Sequence, residues 1–159
     1  MNKLRIYIET SVWSFAFADD VPDYRADTLA FFQRCRSGGC DTFISDVVLA
    51  EIERAEEPLR QRLLDLIRDV YPVIFELSDR ANLLADAFLK EGAVPPGKPE
   101  DARHVAAAFA EELDVLVSWN FRHIANVRRA DRFNALALLT GYHRPLRIVS
   151  PAEVLYDDE

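Results

Sequence analysis

No apolar run in this chain approaches the roughly 18 residues that a membrane-spanning helix needs. The start, MNKLRIYIET, is too briefly apolar for a secretion signal and reads as a strand, so no membrane association and a cytoplasmic location are expected. Cysteine is scarce. Cys35 and Cys40 bracket Arg-Ser-Gly-Gly, a spacing that fits no zinc pattern, and no second Cys/His pair accompanies them. Two reduced thiols are expected in that compartment. Positive charge is in deficit: 19 Lys and Arg face 27 Asp and Glu, for a net charge of -8. That argues against tight non-specific nucleic-acid binding, which draws its affinity from basic contacts to phosphate. It does not exclude an enzyme whose acids are neutralised by a metal, and the field of an acidic protein attracts basic partner peptides. Repeats and low-complexity segments are also missing.

What is present suits a globular domain. Half of the residues are hydrophobic and 29% are charged, and 159 residues fit a single domain over 1–159. LRIYIE (4–9) predicts a strand ending at Glu9, with Thr10 and Ser11 as helix caps behind it. A helix is expected over Asp23–Arg36, carrying Ala26, Leu29 and Phe32 on one stripe and closed by Gly38 and Gly39. DTFIS (41–45) predicts a second strand. Ser45 or Asp46 then caps a helix whose apolar face holds Val48, Ile52 and Ala55, with Glu51 on another face. Pro58 breaks that helix or opens the next one, marked by Leu59, Leu63, Leu66 and Val70. YPVIFEL (71–77) predicts a third strand. Ser78 caps a helix with Ala81, Leu84, Ala85 and Phe88 on one face, and residues 92–100 form a loop. Asp101 opens a further helix. DVLVSW (114–119) predicts a strand buried on both faces, as parallel sheets require. A helix near 130–140 and a strand over LRIVS (146–150) complete the chain. This alternation predicts a three-layer α/β/α sandwich around a mostly parallel sheet.

In such a sheet ligands gather outside the carboxyl ends of the strands. Glu9, Glu51 and Asp101 stand where strands or polar turns hand over to helices. Hard divalent cations take oxygen ligands from one or two carboxylates together with water and phosphate. Each acid also has a structural alternative. Glu9 can cap the next helix, although an acid ending an apolar strand is costly unless paired. Glu51 can be a solvated mid-helix acid. Asp101 can complement a helix dipole, worth about 0.3–1 kcal/mol. Asn120 reads equally as a turn residue or as a phosphate contact. Asp114 starts its strand and belongs to the opposite edge.

Stretches of the chain together resemble the PIN-domain family, especially the VapC-like toxins of bacterial toxin–antitoxin pairs. They are IYIETSVWS (6–14), ISDVVLAEIERA (44–55), EDARHVAAAFAEELDVLVSWNFRHIAN (100–126) and IVSPAEVL (148–155), in the family's order. The third stretch is the most specific. The resemblance implies that Glu9, Glu51 and Asp101 bind Mg²⁺ or Mn²⁺ and catalyse hydrolysis of RNA, single-stranded or structured. Glu9 replaces the family's more frequent Asp, which moves the carboxylate by about 1.5 Å. Asn120 stands where many members have a fourth acid, so the three acids favour one tightly held metal. Water as nucleophile implies 5′-phosphate and 3′-hydroxyl products. Thr10, Ser11, Asn120, Arg122 and His123 are then expected to contact substrate, with Arg103 beside them as a further backbone contact or a solvated charge. His104 is expected to be structural.

Trp119 is expected in the core, with Trp13 a candidate for base stacking. The resemblance also implies an antitoxin that inserts a basic side chain among the acids, and a homodimer with Phe15, Phe17 or Phe31 as candidate interface. The competing readings are a PIN-like RNA- or protein-binding module that has lost turnover, and a phosphohydrolase with an acid nucleophile. The second favours an Asp-x-Asp opening, which IYIETS lacks.

Overall fold

The computed structural model describes residues 3–156. Strand β1 (Leu4–Ile8) leads into helices α1 (Thr10–Phe15) and α2 (Pro22–Arg36). Strand β2 (Cys40–Ser45) is followed by α3 (Asp46–Glu53) and α4 (Leu59–Val70). Strand β3 (Val73–Phe75) is followed by α5 (Asp79–Lys90) and α6 (Pro99–Ala110). Strand β4 (Val115–Val117), α7 (Val127–Leu139), β5 (Arg147–Val149) and α8 (Pro151–Tyr156) close the chain.

The strands form one sheet in the order β3-β2-β1-β4-β5, and every pair is parallel. The expected α/β class is therefore correct, with a sheet more uniform than "mostly parallel". From the central β1 the chain winds one way through β2 and β3, then crosses back to β4 and β5. The direction reverses between β1 and β4, and a crevice at such a reversal is where α/β sheets bind ligands. Helices flank the sheet: α5 packs on α6 and α7, and α2 on α8, α1 and α4.

The core follows from the two central strands. Ile6, Tyr7 and Ile8 of β1 and all of β4 are buried. Truncating a fully buried residue such as Ile8 to Ala would cost about 2–5 kcal/mol. On α2 the buried stripe is Thr28, Phe31, Phe32 and Cys35, spaced i, i+3, i+4, i+7, while Leu29 is exposed. The inward face is thus rotated from the expected stripe of Ala26, Leu29 and Phe32, because the aromatic pair Phe31–Phe32 decides which side turns to the core. Phe31 and Trp13 are fully buried, which corrects their expected roles in an interface and in base stacking. Trp13 donates its indole N–H to the Ile8 carbonyl and packs on Phe32.

Several boundaries also move. The cap of α1 is Glu9, the structural alternative raised for that acid, rather than Thr10 or Ser11, and β3 is a short edge strand with Val73 and Ile74 exposed. Ser45 and Ser78 cap α3 and α5 as expected. Cys35 and Cys40 are free thiols with their sulfurs 3.3 Å apart, and Gly38, at φ 86°, makes the turn between them. Among the described residues no helix is long and apolar enough to cross a membrane.

Candidate metal centre

Glu9 is the first residue beyond β1, and it is buried. Its carboxylate accepts from the Ser11 N–H at 3.1 Å and the Ser11 hydroxyl at 2.6 Å. A third bond comes from the Ser118 hydroxyl at 2.5 Å. The register explains that contact. Ile8 lies opposite Val117, so the next residue of each strand meets across the β1–β4 crevice. Ser118 also accepts from the Asn120 N–H, and the Ser11 hydroxyl accepts from the Trp119 N–H. The loop after β4 is thereby fixed to the start of α1.

Glu51 reaches the same crevice from α3. It accepts from the Thr10 hydroxyl at 2.8 Å and makes a short hydrogen bond with Nε2 of His104. His104 is fully buried on α6, and its Nε2 is also 3.9 Å from a Glu9 oxygen. On the other side of the ring, Nδ1 is 2.7 Å from the Tyr7 hydroxyl, which is itself 2.7 Å from the Ser45 hydroxyl. Donor atoms of Glu9, Glu51 and His104 all lie within 4.8 Å of one another. Asp101 precedes His104 by one turn of α6. Its carboxylate is 3.1 Å from Nδ1 of His123.

The electrostatics follow from this crowding of acids. Burial works to lower the His104 pKa, but the Glu51 hydrogen bond and the charges of Glu9, Glu51 and Asp101 outweigh it and raise the pKa. For Glu51, burial works upward, and the His104 and Thr10 hydrogen bonds pull its pKa below the usual range. Asp101 is pushed up by burial and by the Glu9 charge, with His104 and His123 only partly compensating. Burial raises the Tyr7 phenol and keeps it protonated. Among the described residues no lysine or arginine forms an ion pair with Glu9, Glu51 or Asp101; their ion-pair partners are the histidines His104 and His123. A carboxylate-rich site without a permanent cation fits a divalent metal.

Of the other anticipated residues, Thr10 and Ser11 spend their hydroxyls on Glu51 and Glu9. Asn120 turns its side-chain oxygen to the His123 N–H, and His123 faces Asp101. Arg122 is exposed beside them. Trp119 lies in the core as expected, donating to Thr28. Asp114 lies at the opposite edge, accepting from the Arg5 N–H at 2.8 Å and from Arg144. Sequence reading missed Ser118 and Tyr7, whose hydroxyls support the acids. The only trace of Ser118 was a polar residue between a buried strand and Trp119. His104 was read as structural, and it lies against two of the acids. A pocket of about 270 Å³ opens beside Glu51, lined among others by Asp46, Arg54, Glu100 and Arg103.

No protein-family model matches the sequence, and neither does any curated protein. Among solved structures, the chain is similar to one in the crystal structure of VapBC2 from Rickettsia felis bound to a DNA fragment from their promoter. The TM-score is 0.56 at 17% identity, over 92% of this chain and 98% of that one. At that identity the likeness is one of fold, and the fold is of PIN type.

Proposed function

We propose that this chain is a metal-dependent endoribonuclease of PIN type, a single cytoplasmic domain acting as the toxin of a toxin–antitoxin pair. The observation that supports the reading is the meeting of Glu9 and Glu51, whose ligand atoms lie within 4.8 Å of one another and of His104, with Asp101 one turn of α6 from that histidine and, among the described residues, no lysine or arginine ion-paired to the three acids. Glu9, Glu51 and Asp101 would hold Mg²⁺ or Mn²⁺. His104, bonded through both ring nitrogens, positions Glu51 rather than binding the cation. When bound, the cation supplies Lewis-acid charge at the phosphate and makes water more acidic.

The remaining chemistry belongs to the side chains. Ser11 and Ser118 fix the Glu9 carboxylate. Thr10 and His104 fix that of Glu51. Asp101, one turn of α6 before His104 and facing His123, orients and deprotonates the attacking water. Asn120, Arg122 and His123 line the approach of the RNA phosphate, with Thr10 and Ser11 behind the acids. Attack by water leaves 5′-phosphate and 3′-hydroxyl ends. The similar VapBC2 chain comes from a complex of two proteins on promoter DNA, which supports an antitoxin partner.

The test is incubation of purified protein with total RNA and Mn²⁺, followed by end analysis. Cleavage with 5′-phosphate ends that is lost in Asp101→Asn is the expected result. Mn²⁺ binding without cleavage of any RNA would favour the second reading, a binding module whose Glu51 is held by His104.

A further inference from the structure

Five arginines of this acidic chain pair with acids. Arg25, Arg36, Arg54, Arg60 and Arg144 each pair with one. One face gathers four others together. An open depression of about 610 Å³ is lined by Phe121, Arg122, Arg128, Arg129 and Arg132, with Asn126 and Val127 between them, and among the described residues no acid lines it. Arg129 donates to the Ala93 carbonyl at 2.6 Å and Arg132 to the Glu91 carbonyl. Those bonds aim the guanidinium groups without neutralising them. Among the described residues none of the four arginines has a carboxylate partner. Like charges this close repel, and a chain with net charge -8 had acids available to separate them.

The face is joined rigidly to the metal centre. Asn126 donates to the Phe121 carbonyl at 2.7 Å and accepts from the Arg129 N–H. The Ile124 and Ala125 N–H groups bond back to the Asn120 carbonyl. One short turn therefore carries His123, against Asp101, and Phe121 and Arg122, at the depression. Beside it Phe121 and Tyr24 are each more than two-fifths exposed. They flank the buried Trp119 ring, with Tyr24 4.6 Å and Phe121 5.8 Å from it between centroids. A row of unpaired cations next to exposed aromatic rings is the combination that holds single-stranded nucleic acid.

Building on the nuclease reading above, we infer that this face is the track for the RNA strand flanking the cleaved bond. Arg122, Arg128, Arg129 and Arg132 hold backbone phosphates, and Phe121 with Tyr24 stacks a base. The track gives a protein of net negative charge a local route for a polyanion toward its own acids.

The experiment is fluorescence anisotropy with a labelled, mixed-sequence single-stranded RNA of about 12 nucleotides, within the usual site sizes. It is run in EDTA so that nothing is cleaved, across about 50–200 mM KCl. Wild type binds with a marked salt dependence. Arg122→Ala/Arg128→Ala weakens binding by about tenfold, and the log–log salt slope falls by about 0.7 for each phosphate that is no longer neutralised. Phe121→Ala weakens binding about fivefold and leaves the slope alone. These side chains are exposed, so melting temperatures should hold, and circular dichroism checks that they do. Unchanged affinity and slope in the double variant would overturn the track, as would wild type that fails to bind the RNA. Equally tight binding of duplex DNA of the same length through the same arginines would also overturn it. The metal centre is read separately, by Mn²⁺-induced thermal stabilisation of the same proteins. A persistent Mn²⁺ shift with no role for the arginines sinks the track alone, whereas an absent Mn²⁺ shift sinks the nuclease reading.

Discussion

Two ends of the same sheet hold carboxylates in opposite ways. At the amino end of β4, Asp114 accepts from the Arg5 backbone and from the Arg144 guanidinium. Its charge is matched by a permanent cation and it joins two strands. At the carboxyl end, Glu9, Glu51 and Asp101 are met by hydroxyls and by His104 and His123, and among the described residues by no guanidinium or ammonium ion pair. An acid matched by arginine is finished structure. Acids left with hydroxyls and titratable rings form a site that a cation from solution can complete.

The largest way to break this contrast is catalytic. Asp101→Asn and Glu9→Gln should each lower RNA cleavage by about 100-fold or more, the usual cost of removing one preorganised charge-stabilising group. Asp114→Asn should leave the rate per folded molecule within about twofold, since it lies at the far edge and a twofold change is well under 1 kcal/mol. Equal losses from both ends would erase the distinction. The next effect is on stability. Asp114→Ala removes a charge-assisted bond and leaves Arg144 unpaired, costing about 1–3 kcal/mol by urea unfolding. The Mn²⁺ response should survive it.

A smaller effect sharpens the comparison through pH. In metal-free buffer the raised His104 pKa gives stability that is complete below the ordinary imidazole value of about 6.5 and is lost as pH rises through the folded value. The lowered Glu51 pKa gives stability that is complete above about 4.3 and is lost as pH falls through the folded value. The pair therefore contributes most between about pH 4.3 and 6.5. His104→Gln should flatten that bump in a pH series of unfolding curves. Asp101 has the opposite sign to Glu51. Its raised pKa means that ionisation costs stability as pH rises through the folded value. Asp101→Asn should thus leave the metal-free protein at pH 7 as stable as wild type or slightly more so. A clear loss would show Asp101 to be a structural acid like Asp114.

Much of this was readable from residues. Apolar runs gave the strands of the centre, because β1 and β4 are buried on both faces and tolerate little else. Glu9 stood out because an acid ending such a run is expensive, while Glu51 and Asp101 stood out only where segments hand over to helices and through the family resemblance. What was not readable depended on neighbours that meet only after folding. Ser118 and Glu9 lie far apart in the chain and come together only through the β1–β4 register. α1 is too short to show a helical period, so the chain alone could not choose among Glu9, Thr10 and Ser11 as its cap. In α6 the run Val105–Phe109 is buried all round, so periodicity could not tell which way His104 points. On α2 two adjacent phenylalanines left the inward face undecided until α1, α4 and α8 were packed against it.

The most direct measurement of the central claim is thermal unfolding with and without Mn²⁺ for wild type, Asp101→Asn and Asp114→Asn. At 100 times its dissociation constant the ion should stabilise wild type by about 2.7 kcal/mol. For a chain of this size that is a rise of about 5–10 °C. The account predicts the same rise in Asp114→Asn and none in Asp101→Asn. No rise in wild type, or one that survives Asp101→Asn intact, would contradict it.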